Sequence, residues 1–153
     1  MMDTVEKLVA IEAIRLLKAR YWRAIDTRDP DLLRSIFTDD VTIDLRAEVP
    51  EGPNDHMVWR DSIKFVSDVI INLKGVVTAH FGHNPEIEIL SATEATAIWP
   101  MQDYFWVDPA QSALPFRALR GFGHYHDKCV LTESGWKICY SRLDRVRIEF
   151  DPI

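Results

Sequence analysis

The sequence is poor in the features that give many proteins away. It has only two cysteines, Cys129 and Cys139. There is no CxxC pair and no HExxH, so neither a structural zinc site nor a protease-type metal centre is signalled. Both cysteines fall in strand-like segments that can pair, and they are read as two free buried thiols of a reducing compartment. Basic residues do not predominate: 18 Lys and Arg stand against 24 Asp and Glu, a formal net charge of −6. Phosphate binding needs a basic surface, so nucleic acid is not an expected partner. No apolar run approaches the ~18 residues of a membrane span. The stretch MMDTVEKLVAIEAIRLLK interleaves charges where a secretory leader would carry an apolar core, and a soluble, cytoplasmic protein is expected. Repeats, linkers and low-complexity segments are also lacking.

What is present is an ordinary globular composition, 47% hydrophobic and 27% charged over 153 residues. That suits one domain spanning residues 1–153 with a sizeable core. From Val5 to Thr27, apolar residues recur at helical spacing (Leu8, Ile11, Ile14 or Leu17, Tyr21, Ile25), with Asp3 or Thr4 as N-cap. Asp29-Pro30 starts a second helix over Asp31–Phe37. Val41, Ile43 and Leu45 alternate as a short strand. Residues 46–58, with two prolines and a glycine, read as a rim or lid loop. A third helix is expected over Trp59–Leu73. Strands follow over Val76–His83, Glu86–Leu90, Ala95–Val107, Arg117–Thr132 and Trp136–Phe150, the last two joined by a tight Glu133-Ser134-Gly135 turn. The order predicts an α+β fold: a cone-shaped, curved antiparallel sheet packed against three N-terminal helices, with a pocket at its open end.

The stretch VVTAHFGHNPEIE, Val76–Glu88, places His80 inside an alternating apolar run that breaks at Gly82 and Asn84-Pro85. Such an imidazole is either a core group bonded to backbone or a general base. Asp26, where the first amphipathic helix ends, is either a cap or the carboxylate that fixes a histidine tautomer. Tyr21 lies on the apolar helix face, as core or as a hydroxyl polarising a substrate oxygen. Ala95, Ala97, Trp99, Met101, Asp103 and Phe105 share one strand face, which puts Asp103 either in an aromatic-lined pocket, as a neutral acid donating a proton, or at the strand's wet end. His80 and His83 have opposite parity. His124 and His126 share a face but lack a third ligand at fitting spacing, and no metal is expected. Of Arg142 and Arg145, one must point inward, to a carboxylate or enolate oxygen. The other has Asp144 or Glu149 for an ion pair. Trp22, Trp99, Phe105, Trp106 and Phe122 divide between core, pocket wall and subunit interface.

Three segments together, AIRLLKARYWRAIDTRDPDLLRSIFTDDV, VVTAHFGHNPEIEI and GFGHYHDKCVLTESGWKICYSRLDRVRIEF, resemble the SnoaL-like families of the nuclear transport factor 2-like superfamily over essentially the whole chain. The motif resemblance is closest to scytalone dehydratase, the bile acid dehydratases and lindane dehydrochlorinase. It implies catalytic roles for Tyr21, Asp26 and His80, which fall at matching places, and for Asp103, at the place of an aspartate of the bile acid dehydratases. Arg142 and Arg145 both match the last-strand arginine. Trp99, Phe105 and His124 join them as substrate-contacting candidates. The resemblance further implies a cofactor-independent lyase acting on a small cyclic apolar substrate such as a steroid, terpenoid or polyketide. An isomerase or cyclase using the same dyad, or a non-catalytic subunit like the small subunit of aromatic-ring dioxygenases, are the alternatives. It also implies a homo-oligomer, trimer or dimer, that covers the open sheet. The sequence departs from these enzymes at residues 46–58, which match no functional position, and at the pair His124 and His126.

Overall fold

A computed structural model describes residues 2–48 and 54–153. Helix α1 (Thr4–Thr27) begins with a capping box, in which Asp3 accepts from the Glu6 amide and the Glu6 carboxylate accepts from the Asp3 amide, both at 2.8 Å. It ends at Arg28, whose backbone turns left-handed (φ 55°). Asp29 caps helix α2 (Pro30–Ile36) by accepting from the Leu32 amide, with Pro30 at its first position. Strand β1 (Phe37–Asp44) follows with no intervening turn. It starts four residues earlier than the alternation of Val41, Ile43 and Leu45 predicts, because Phe37 is already extended and pairs with Ile138.

The segment expected as a rim loop lies partly outside the described residues, at 49–53. Its flanks form short 3-10 turns at Arg46–Glu48 and Asp55–Met57. The third helix is shorter than its apolar stripe suggests. α3 spans Ser62–Asn72, capped by Asp61, which accepts from the Lys64 amide. Trp59, expected in that helix, instead forms strand β2 (Val58–Trp59) against β1 and donates its indole N–H to Asp68 at 2.8 Å.

The remaining strands are β3 (Val76–Gly82), β4 (Glu86–Ile89), β5 (Glu94–Val107), β6 (Phe116–Thr132) and β7 (Gly135–Pro152). They form one curved, unclosed sheet in the order β2-β1-β7-β6-β5-β3, with β4 also on β5. All pairings are antiparallel except one. β1 runs parallel to β7, with Ile43 opposite Ser141, so the sheet is mixed rather than wholly antiparallel as expected. The three helices lie against its inner face, and Leu33, Ile36, Val41, Ile43, Phe65, Ile138 and Leu143 are buried between the layers.

Strict alternation along β5 and β6 decides which side chains reach that inner layer. On β5 these are Ala95, Ala97, Trp99, Met101 and Asp103; on β6, Leu119, Gly121, Gly123, Tyr125, Asp127 and Cys129. A bulge beside Lys128 and Cys129 sets Cys129 opposite Ile138, so Cys129 and Cys139 are not cross-strand partners, and both are free thiols. The outer face carries exposed Val77, Phe81 and Trp106, with Tyr104 stacked on Trp106. Among the described residues no helix is long and apolar enough to cross a membrane.

Candidate active site

Asp26 sits in the last turn of α1, where the helix crosses β3. Its Oδ1 accepts from His80 Nδ1 at 2.7 Å and from the Thr78 hydroxyl at 2.9 Å, while Oδ2 accepts from the His80 amide at 2.9 Å. Thr78 and His80 share the inner face of β3, so one carboxylate is fixed by two successive inward positions and the strand backbone. Arg28 supports the arrangement from behind. It donates to the Thr78 hydroxyl at 2.9 Å and to the Val76 carbonyl at 2.5 Å, from its place as the left-handed C-cap of α1. Burial works to raise the Asp26 carboxyl, but the bonds from the His80 ring, the His80 amide and Thr78 outweigh it and hold it below the ordinary value. A carboxylate acceptor makes Nδ1–H the donor, which leaves the His80 Nε2 lone pair free.

Nε2 points toward Asp103 Oδ2, 3.9 Å away, too far for a hydrogen bond. His80 and Asp103 are direct cross-strand partners on β3 and β5. Asp103 is 1% exposed. Both its oxygens accept from Arg145, Oδ1 from Nη1 at 2.9 Å and Oδ2 from Nη2 at 2.7 Å. That bidentate grip makes Asp103 an acceptor, and the expected role as a neutral acid loses its geometric basis. Arg145 Nη2 also donates to Glu48 at 2.5 Å. Burial pushes the Glu48 carboxyl up against the opposing pull of Arg145. For Arg145, burial favours loss of its charge, but Glu48 and Asp103 prevail and raise its basicity further.

Room for this packing comes from Gly121. A Cβ there would collide with Asp103 Oδ1 and Arg145 Nη1. Trp22 stacks on the His80 ring (centroids 5.9 Å apart, planes 12° apart), and Phe105 meets that ring edge-on at 5.8 Å. Gly82 has the corresponding role for Trp22, since its missing Cβ would lie 2.5 Å from the indole Nε1. Trp99, another expected pocket residue, is 5% exposed and its indole N–H is buried with no partner among the described residues.

About two turns back on α1, a second polar cluster is wholly buried. Lys18 donates to Asp127 at 2.8 Å, and Asp127 accepts from Ser141 at 2.7 Å. The Lys18 ammonium lies over the rings of Tyr125, Tyr21 and Trp22, at 4.0, 4.5 and 4.7 Å from their centroids. Tyr21 and Tyr125 share a hydrogen bond between their hydroxyls at 3.3 Å. Burial raises both phenols well above the ordinary value, so both stay protonated and can donate.

Of the residues singled out in the sequence, Asp26, His80, Asp103 and Arg145 converge, with Phe105 against His80. Arg142 and His124 do not. Arg142 pairs on the outer face with Asp144 at 2.8 Å, and His124 occupies an outward position of β6, opposite Asp144 in register. His126, also outward, meets Asp144 at 3.2 Å. The sequence reading missed Glu48, Thr78, Lys18, Tyr125, Asp127 and the two glycines. Two signals pointed to some of them: a lysine inside an apolar helix stripe, and glycines inside a long strand. A cleft of about 440 Å³ lies beside the Gly82–Pro85 bend over Trp99, and another of about 700 Å³ lies between α3 and the start of β3. Neither is lined by His80, Asp103 or Arg145.

Comparison with solved structures finds the same architecture repeatedly. A hexachlorocyclohexane dehydrochlorinase superposes with a TM-score of 0.77 at 16% identity, over 97% of this chain and 93% of that one. A candidate scytalone dehydratase of Novosphingobium aromaticivorans gives 0.77 at 18%, over 99% and 97%. A protein of Kribbella flavida gives 0.81 at 20%, over 94% and 95%. At such identities the likeness is one of fold. The family is shown by the sequence itself: the model of the SnoaL-like domain matches residues 6–142, a span that holds α1 with its Asp26, the His80 strand and the Asp103 strand, and the chain belongs to that family.

Proposed function

We propose that this chain is a cofactor-independent lyase that carries out a dehydratase-type elimination on a cyclic, largely apolar substrate such as a steroid, terpenoid or polyketide. The observation that carries the reading is the 2.7 Å contact between His80 Nδ1 and Asp26, made by a carboxylate that is itself fixed by Thr78 and the His80 amide. With Nδ1–H committed to Asp26, Nε2 is the base. It takes a proton from the carbon beside a carbonyl or leaving group. The C–H electron pair becomes the new double bond, and hydroxide or halide departs with its own pair. The imidazolium that forms lies between Asp26 and Asp103, whose charges stabilise it. Tyr21, a protonated donor, assists the departing oxygen or an enolate.

Aromatic walls favour a flat ring-bearing substrate. Trp22 and Phe105 already hold the imidazole by ring contacts. We assign the exposed Val77, Phe81 and Trp106 of the outer face to contact with another copy, in a homo-oligomer, and the site to a cytoplasmic protein.

The test is turnover of a panel of hydroxylated and halogenated steroids, terpenoids and polyketides, read by mass. Loss of water or halide identifies elimination, and unchanged mass identifies isomerisation by the same dyad. His80→Gln is expected to lower kcat by about 10²–10⁴. Full turnover by His80→Gln would overturn the reading.

A further inference from the structure

Arg145 is held by Asp103, the cross-strand partner of His80, and an arginine there invites an anionic substrate. The donors on its terminal nitrogens are already occupied. Nη1 donates to Asp103 Oδ1 at 2.9 Å and toward Met101 Sδ at 3.6 Å. Nη2 donates to Asp103 Oδ2 at 2.7 Å and to Glu48 Oε1 at 2.5 Å. The remaining N–H, on Nε, is buried without a partner among the described residues. A guanidinium has five N–H groups in a fixed fork, so the four on the terminal nitrogens are taken and the fifth, on Nε, is out of contact with solvent.

The charge count points the same way. One guanidinium serves two carboxylates, and a third carboxylate, Asp26, lies on the far side of the imidazole. An anion entering beside His80 would meet net negative charge at short range, in surroundings that screen little: the Arg145 side chain is 6% exposed and that of Asp103 1%.

Asp103 alone does not close the fork. It takes one N–H from each terminal nitrogen, and the second N–H of Nη2 would be free to receive a ligand oxygen. Glu48 takes it. Glu48 comes from the 3-10 turn after β1, 97 positions away in sequence, and is placed by its backbone N–H donating to the Leu45 carbonyl and by the Arg46–Asp44 fork at 2.9 and 2.7 Å.

We propose that Glu48 is a specificity-determining residue: an internal carboxylate seated where a substrate carboxylate would bind Arg145, so that the site takes substrates uncharged at the end that meets Arg145. This deepens the lyase reading and rests on it for the word substrate, but the binding property stands on the geometry alone. Removing the Glu48 carboxylate opens a vacancy with one free guanidinium N–H, matched to a carboxylate from solution.

The experiment compares binding of benzoate and its uncharged counterpart benzamide to the wild-type protein and to Glu48→Ala, by calorimetric titration. Glu48→Ala is expected to bind benzoate at least about tenfold more tightly than wild type does, with benzamide affinity unchanged between the two proteins. Equal benzoate affinity in the two proteins overturns the proposal, as does a gain shared by benzamide, which would report a simple cavity. If Glu48→Ala does not fold, Glu48→Ser removes the carboxylate with a short polar side chain and opens the same vacancy at Arg145 Nη2. Benzoate affinity must then rise relative to wild type, and an unchanged value overturns the proposal. Turnover by His80→Gln tests the lyase reading separately, since it leaves Glu48 and Arg145 intact.

Discussion

Replacing Lys18 by Met leaves the Asp127 carboxylate in the core with Ser141 as its one remaining side-chain donor among the described residues. Lys18 and Asp127 are 1% and 3% exposed, so neither charge has water to fall back on. Breaking a buried pair from one side costs about 3–5 kcal/mol, because an uncompensated charge stays inside. Against a total stability of about 5–15 kcal/mol this is a large fraction. For a domain of this size it lowers Tm by roughly 6–20 °C, at about 2–4 °C per kcal/mol. Removing both charges is a different perturbation. Burial lowers the Lys18 pKa by more than Asp127 restores, which means the folded site resists the ammonium even with its partner present. The pair as a whole is therefore weakly stabilising or worse, and Lys18→Met combined with Asp127→Leu is expected to recover to within about 1–2 kcal/mol of wild type, or to exceed it. Urea unfolding of wild type, both single variants and the double variant gives the cycle, provided the m-values agree. A Lys18→Met variant within about 1 kcal/mol of wild type would refute the reasoning, as would a double variant as unstable as the worse single one.

Gly121→Ala is expected to separate Asp103 from Arg145, since the new Cβ falls on both. The result is a loss of about 2–5 kcal/mol in urea unfolding together with loss of turnover; unchanged stability and activity would show that the pair has room to shift. Asp26 makes stability pH-dependent. Its folded carboxyl lies below the ordinary value of 3.8, so its contribution is fully present above that value and is lost as pH falls through the folded one. Asp26→Asn should be less stable than wild type at neutral pH, and the difference should shrink in acid; a constant difference from pH 7 to pH 2 would remove the linkage.

The parts of the fold that rest on local chemistry could be read from the sequence, and the parts that rest on distant pairing could not. Asp3 and Asp29 act as caps where their neighbours demand one. The period-2 run from Ala95 to Phe105 does face one way, which is why Asp103 and Trp99 emerge inside. Trp59 was assigned to a helix because its apolar side chain extends the stripe of Ile63, Val66 and Ile70. The Asp61-Ser62 cap signal lay two residues on, and pairing with Ile43 decided the matter. Parity alone required one of Arg142 and Arg145 to point inward but not which one, because that depends on the register of β7 against β6, including the bulge at Val146. Glu48 is further out of reach: nothing local distinguishes it from the other acids of an irregular segment.

The two polar clusters are not independent, because one helix face supplies both. Lys18, Tyr21, Trp22 and Asp26 lie at i, i+3, i+4 and i+8 of α1, a single stripe along the helix. Trp22 joins them, its indole stacked with the His80 ring and in contact with the Lys18 ammonium. Tyr125 completes the wall from β6, at 5.3 Å from Trp22 and 5.9 Å from Tyr21. A rotation of α1 that moved Asp26 off His80 would therefore also draw Lys18 off Asp127, and a buried ammonium without its carboxylate is strongly disfavoured. The Lys18–Asp127 pair adds little net stability by this account, yet it resists one particular motion, the rotation that would undo the dyad. That gives a physical reason for a charged pair in a core that leucine and methionine could fill, and it links the placement of the base, through Trp22, to a contact with β6.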